Sequence, residues 1–85
     1  MRTFIFSKSG EKYFQKLSSQ DQKNCITKLQ FFKESDTFDH NLKITQNLLP
    51  VTHRLRVGNI RMLVRKIDDE TIEILKVWYR GDIYK

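Results

Sequence analysis

The sequence predicts an α+β fold: a two-helix hairpin packed on one face of a small twisted antiparallel sheet, in the order β-α-α-β-β-β. Three observations predict it. Apolar residues recur at helical spacing in two short segments of the first third of the chain. From Thr52 the period changes to two, and runs of β-formers separated by turn residues continue as far as Trp78. A short run of β-formers near the N-terminus supplies one more strand. Eighty-five residues are room for a single domain, 1–85, and neither a linker nor an internal repeat divides them.

Arg2 to Ser7 has β-formers at its centre and polar residues on both sides, the composition of a short strand. Ser7-Lys8-Ser9-Gly10-Glu11 reads as a helix entry, with Glu11 in the first turn, where a negative charge suits the helix dipole. Tyr13, Phe14 and Leu17 follow at helical spacing and predict an amphipathic helix over 9–18. Ser19-Gln20-Asp21-Gln22 has the form of a capping box. Behind it Cys25, Ile26, Leu29 and Phe32 share one face of a second helix over 20–34. The break at Ser18-Ser19 makes the two helices a hairpin. Residues 35–50 are the least regular stretch and read as a loop that packs a few leucines under the sheet, with Leu49 held extended by Pro50.

In the next segment Arg54 and Arg56 alternate with His53, Leu55 and Val57. Gly58-Asn59 is a turn dipeptide ahead of a second alternating run, Ile60 to Ile67. Asp68-Asp69-Glu70 is another turn, and Thr71 to Trp78 is a third strand of strong β composition. Three strands joined by two short turns form an antiparallel meander, whose edge the first strand is expected to join. The expected core is Phe4, Phe6, Phe14, Leu17, Ile26, Leu29, Leu55, Met62, Val64 and Ile74, with Cys25 as a small apolar filler.

Sixteen Lys/Arg against ten Asp/Glu give a net charge of +6. Such an excess favours a polyanionic partner. It is not evenly spread. From His40 to Ile67 there is no Asp or Glu, and this stretch carries Lys43, Arg54, Arg56, Arg61, Arg65 and Lys66, so the rest of the chain is neutral in sum. Period two puts Arg54 and Arg56 on one face of their strand, and Arg61 and Arg65 on one face of the next. If the hairpin register brings those faces together, four guanidiniums line one side of the sheet. Guanidinium is a permanently charged planar fork that matches phosphate oxygens, so this face is a candidate phosphodiester site. The bland alternative is a wet sheet face that happens to carry arginine; ordinary surfaces, however, mix both signs.

Other function classes find little support. No stretch approaches the ~20 apolar residues of a transmembrane helix, and no membrane association is expected. The N-terminal apolar run, Phe4-Ile5-Phe6, falls short of the ~7–15 residues of a signal peptide. One cysteine cannot form an internal disulfide, so a reducing compartment, the cytoplasm, is expected. Two histidines and one cysteine at no ligand spacing suggest no metal, and no cofactor-binding glycine loop is present. His53 alternates with Arg54 and is expected at the core edge with a hydrogen bond. His40 has no evident fixed geometry. Trp78 reads as a core or sheet-edge aromatic that can flank the site.

His53-Arg54-Leu55-Arg56-Val57-Gly58-Asn59-Ile60-Arg61, followed later by Tyr79-Arg80-Gly81-Asp82-Ile83-Tyr84-Lys85, resembles the RelE/ParE superfamily of toxins from type II toxin-antitoxin systems. The ending favours the RelE-like branch. The resemblance spans nearly the whole chain in pattern, and its specific residues lie in 53–61 and 79–84. It implies a ribosome-dependent mRNA endoribonuclease that works without metal or cofactor and inhibits translation. In that reaction a 2′-hydroxyl attacks the neighbouring phosphate, giving a 2′,3′-cyclic phosphate and a 5′-hydroxyl. It also implies a cognate antitoxin that neutralises the toxin, ribosome and mRNA as targets, and DNA contact only through the toxin-antitoxin complex. Carried over by position, the resemblance makes Arg56, Arg61, Arg80 and Tyr84 catalytic candidates. Lys43, Arg54 and Arg65 are RNA-binding candidates.

Both paired strand positions are arginine here, where the family often has lysine; Tyr79 stands where histidine is common, and His53 where an aromatic is common. Arginine is effectively never deprotonated and cannot act as an ordinary general base. Arg56 and Arg61 are therefore assigned to charge stabilisation at phosphorus, and Arg80 to the 5′-oxygen leaving group. Tyr84 is a general base, a base-stacking platform, or an end-of-chain aromatic that packs on the sheet. Two other functions compete: a ParE-like inhibitor of DNA gyrase, and an inactive RelE-fold binding protein.

Overall fold

The computed structural model describes residues 1–83 of the chain. Strand β1 (Thr3–Phe6) leads into helix α1 (Lys8–Gln15) and helix α2 (Ser19–Phe32). A short 3₁₀ helix (Phe38–Asn41) runs into β2 (Leu42–Ile44), and β3 (His53–Val57), β4 (Ile60–Lys66) and β5 (Thr71–Tyr79) complete the chain. The five strands form one sheet in the order β1-β5-β4-β3-β2.

The α+β arrangement is the expected one, with two differences in the sheet. The meander β3-β4-β5 is antiparallel and β1 does join its edge, but β1 runs parallel to β5, with Phe4 opposite Ile72 and Phe6 opposite Ile74. The sheet is therefore mixed. Local pattern fixes which residues are extended but not the direction of a strand whose partner lies some seventy positions away. The second difference is β2, in a segment read as loop: Leu42 to Ile44 pair antiparallel with Leu55 to His53. Three residues are too few for alternation to show.

Caps explain the helix boundaries. The Ser7 hydroxyl accepts from the Gly10 N–H at 2.9 Å and starts α1. The second cap falls one residue before the expected one: Ser18, not Ser19, accepts from the Asp21 N–H. Gln22, the other half of the expected capping box, instead donates from Nε2 to the carbonyls of Gln15 and Leu17, closing the end of α1. Beyond the last β1–β5 pair, α1 packs against β5 so closely that a Cβ on Gly10 would overlap the Ile74 carbonyl.

The main core lies between the helices and the sheet. Leu17, Cys25, Leu29 and Phe32 from the helices meet Leu55, Val57, Ile60, Met62, Val64, Ile72, Ile74 and Val77. Phe4, Phe6 and Phe14 are half-buried and pack against this cluster. Ile26, expected inside, is 39% exposed: the buried face of α2 is Cys25, Leu29 and Phe32, and Ile26 sits one position round from it. Phe38, unassigned from sequence, is fully buried between Phe4 and Phe32, with ring centroids at 5.6 and 5.2 Å. Among the described residues no helix is long and apolar enough to cross a membrane.

Candidate nucleic-acid interface

Alternation settles which side chains share the far face of the sheet. Leu55, Val57, Met62 and Val64 are buried on the helix side, so Arg54, Arg56, Arg61, Leu63 and Arg65 face away from the helices. Register then fixes the neighbours. Lys43 stands opposite Arg54, Arg54 opposite Leu63, Arg56 opposite Arg61, and Arg61 opposite Trp78. Directly opposed residues on neighbouring strands hold their Cβ atoms about 4.5–5.5 Å apart. The fold thus sets two guanidiniums against each other on β3 and β4, and an ammonium against a third on β2 and β3.

These side chains line a groove of about 250 Å³ formed by His40, Asn41, Lys43, Arg54, Arg56 and Arg61. Among the described residues its lining includes no Asp or Glu. Like charges directly opposed across strands destabilise a sheet, so the arrangement favours an anion between them. Arg61 is half-buried, and its Nη1 donates to the carbonyls of Gly58 at 2.8 Å and Ile60 at 3.2 Å. Its anchor is the tight turn Val57-Gly58-Asn59-Ile60, in which Gly58 has φ +57° and Asn59 is not left-handed, the pattern of a II′ turn with glycine first.

The far face continues as a small second core. Leu63, Val51 and Ile83 are buried there, with Leu48, Leu75 and Trp78 packed against them. An irregularity in register makes this possible: Leu63 pairs with Lys76 but Val64 with Ile74, so Leu75 is an extra residue in β5. Trp78 also meets Tyr13 of α1 edge-on at 6.3 Å. Ile83, 1% exposed, ties the C-terminal segment to the arginine-bearing face next to Leu63. Gly81 makes that return with φ +87°.

The structure brings together four of the sequence candidates, Lys43, Arg54, Arg56 and Arg61. It does not bring Arg65 into the groove. Arg65 shares their face but lies beyond Leu63, and its Nε is held by Glu73 Oε1 at 3.0 Å. The acid that pairs it comes from the neighbouring strand and is invisible in the acid-free run. Lys66 is likewise engaged by Asp39 at 3.9 Å and Asp69 at 3.8 Å. Arg80 is exposed just after β5; its backbone N–H donates to Asn59 O at 2.7 Å, which places it at the hairpin end of the sheet, outside the groove lining. Tyr84 lies outside the described residues.

His53 is at the core edge, its Nδ1 2.9 Å from Thr52 Oγ1. Desolvation, and then the Lys66 charge, hold its imidazole below the usual pKa, partly offset by Asp39. Sequence reasoning missed His40, which lines the groove. A signal existed: the acid-free stretch begins at His40 itself. A larger hollow of about 690 Å³ is bounded by Glu34, Asp36, Asp39, Asp69 and Glu70 along with Arg2, Lys33 and Lys66, a mixed lining unsuited to a polyanion. Among the described residues no three His, Cys, Asp or Glu side chains converge in a metal-holding group.

No family model matches this sequence, and no curated protein does. Solved structures do. The toxin-antitoxin complex RelBE2 of Mycobacterium tuberculosis contains a chain 27% identical, with a TM-score of 0.72 over 93% of this chain and 98% of that one. The RelB-RelE antitoxin-toxin complex of Methanococcus jannaschii contains one 22% identical, with a TM-score of 0.67 over 94% of each. The isolated RelE toxin of Escherichia coli is 20% identical, with a TM-score of 0.65 over 99% of this chain and 92% of that one. The chain has the RelE toxin fold.

Proposed function

We propose that this protein is the toxin of a type II toxin-antitoxin system, and that it acts as a ribosome-dependent mRNA endoribonuclease held in check by a cognate antitoxin. The observation that carries the nuclease reading is the opposition of Arg56 to Arg61 and of Lys43 to Arg54 in a groove whose described lining residues include no Asp or Glu. The likeness to RelE toxins solved with their antitoxins supports the partner.

The chemistry follows from what these groups can do. When a 2′-oxygen attacks the adjacent phosphorus, negative charge accumulates on the phosphoryl oxygens. Donors fixed in advance are most effective against such charge, because they need no reorganisation as it develops. Arg61 is fixed by its two carbonyl contacts, and Arg56 reaches the same place from the opposite strand. Lys43 and Arg54 extend the cationic surface along the chain direction of a bound strand, the sequence-independent part of the affinity. Trp78, opposite Arg61, offers an aromatic surface against which a base can stack. Arg80 neutralises the 5′-oxygen as it leaves.

The test is a parallel assay of translation and of DNA supercoiling with the purified protein. Arrest of translation with mRNA cut on the ribosome supports the reading. Loss of supercoiling with intact mRNA would replace it with a gyrase inhibitor.

A further inference from the structure

We propose that His40 is the residue that takes the proton from the attacking 2′-hydroxyl, an inference that rests on the nuclease reading above. Among the described residues lining the groove, three are arginines that keep their charge at any working pH. Asn41 does not titrate, and lysine ordinarily holds its proton well above neutrality. Imidazole is the one side chain of the six suited to accept and release a proton near neutral pH.

The backbone at His40 is held in place by the fold, and its side chain is exposed. Phe38, two residues earlier, is fully buried between Phe4 and Phe32. The Arg2 guanidinium covers the Phe38 ring at 4.5 Å and donates to the carbonyls of Phe32 and Ser35. The His40 N–H and the Asn41 side-chain amide both donate to the Thr37 carbonyl at 3.0 Å. The 3₁₀ helix is thus pinned to the core at one end and presents His40 to the groove at the other.

The sheet order supplies the geometry. His40 and Lys43 approach from the β2 side, while Trp78 and Arg80 belong to the β5 side. In-line displacement requires the attacking and leaving oxygens on opposite sides of phosphorus. With His40 serving the attacking oxygen, Arg80 is left at the leaving one. Among the described residues, the charged groups that share the groove with His40 are Lys43, Arg54, Arg56 and Arg61, and the carboxylate of its neighbour Asp39 is paired with Lys66. In the step, the imidazole lone pair takes the 2′-hydroxyl proton and the 2′-oxygen bonds to phosphorus. The bond from phosphorus to the 5′-oxygen breaks, and that oxygen takes a proton from water. The products are a 2′,3′-cyclic phosphate and a 5′-hydroxyl, and the imidazolium returns its proton to solvent.

The experiment measures cleavage of ribosome-bound mRNA from about pH 5.5 to 8.5, across the range in which imidazoles titrate. Parent protein should speed up with rising pH on the acid side, gaining tenfold per pH unit at the low end. His40→Gln should lose about 10²-fold or more at neutral pH and flatten that limb, with ribosome binding and melting temperature unchanged. His40→Arg keeps a cation without a base and should be as slow, which separates proton transfer from electrostatic binding. If either variant kept the parental rate or its acid limb, the inference would be overturned while the nuclease reading stood. A parent that left mRNA whole would overturn both.

Discussion

The Arg61 guanidinium faces the groove and also donates to the Gly58 and Ile60 carbonyls of the hairpin turn. Arg61→Ala therefore has two expected effects. Cleavage should fall about 10²–10³-fold, as when one fixed donor to a developing oxyanion is lost. Stability should fall by only about 0.5–1.5 kcal/mol, the ordinary net worth of a hydrogen bond. Single-turnover rates and denaturant melts of the same variant separate the two. Arg61→Lys should recover part of the rate, since a point charge replaces a fork. His53 makes a prediction of opposite kind. Its pKa is lowered in the fold, so its contribution is present above the ordinary imidazole pKa and is lost as pH falls through the lowered value. Unfolding curves at stepped pH should show stability declining on the acid side of neutrality, and His53→Gln should remove part of that slope. These residues also mark how far the sequence was legible. Arg54, Arg56 and Arg61 were, because alternation gives the face of each strand and the two-residue Gly58-Asn59 turn sets the register that brings the faces together. That Arg65 lies outside the groove and pairs with Glu73 was not legible, because Glu73 is a cross-strand neighbour. His40 was missed because its place depends on Phe38, Phe4, Phe32 and Arg2 meeting across the chain.

At the scale of elements, the contact between α1 and β5 is the tightest constraint. Gly10 is buried in the first turn of α1, and glycine within a helix ordinarily costs about 0.5–1 kcal/mol relative to alanine. Gly10→Ala should nevertheless destabilise, because the new methyl meets the Ile74 carbonyl, and a backbone atom cannot swing away. Overpacking of this kind costs about 1–3 kcal/mol, or very roughly 5–15 °C in a domain of this size. An unchanged or raised melting temperature would mean that α1 does not sit where it is described. The strands of the meander and the two helices could be read from period and capping residues. The direction of β1, the existence of β2 and the extra Leu75 could not, since each depends on pairing between distant segments. The Ser18 cap shows a finer limit: two adjacent serines offer the same hydroxyl, and local pattern does not say which one caps.

For the whole molecule, charge and size point the same way. A domain of this length buries only about 60–65% of its unfolded surface, so modest stability is expected. A partner that binds only the folded form raises that stability by mass action, by about 4 kcal/mol at a thousandfold excess over Kd. Under the proposed function, a cognate antitoxin, acidic or amphipathic and seated over the cationic face, should therefore raise the melting temperature measurably, and the complex should lose nuclease activity. No shift on adding the neighbouring gene's product would argue against that pairing. The division of charge is itself a property of the fold. Of the six cations in the acid-free stretch, Arg65 and Lys66 are neutralised by acids from elsewhere, while Lys43, Arg54, Arg56 and Arg61 converge.

The central claim is that this convergence cuts RNA by way of its own 2′-hydroxyl. Ribosomes programmed with a defined mRNA and treated with the purified protein test it through the chemistry of the new ends. The account predicts cuts in the mRNA held in the ribosome, each leaving a 2′,3′-cyclic phosphate upstream and a 5′-hydroxyl downstream, and their loss with Arg61→Ala. Intact mRNA, or ends carrying a 5′-phosphate, would contradict it.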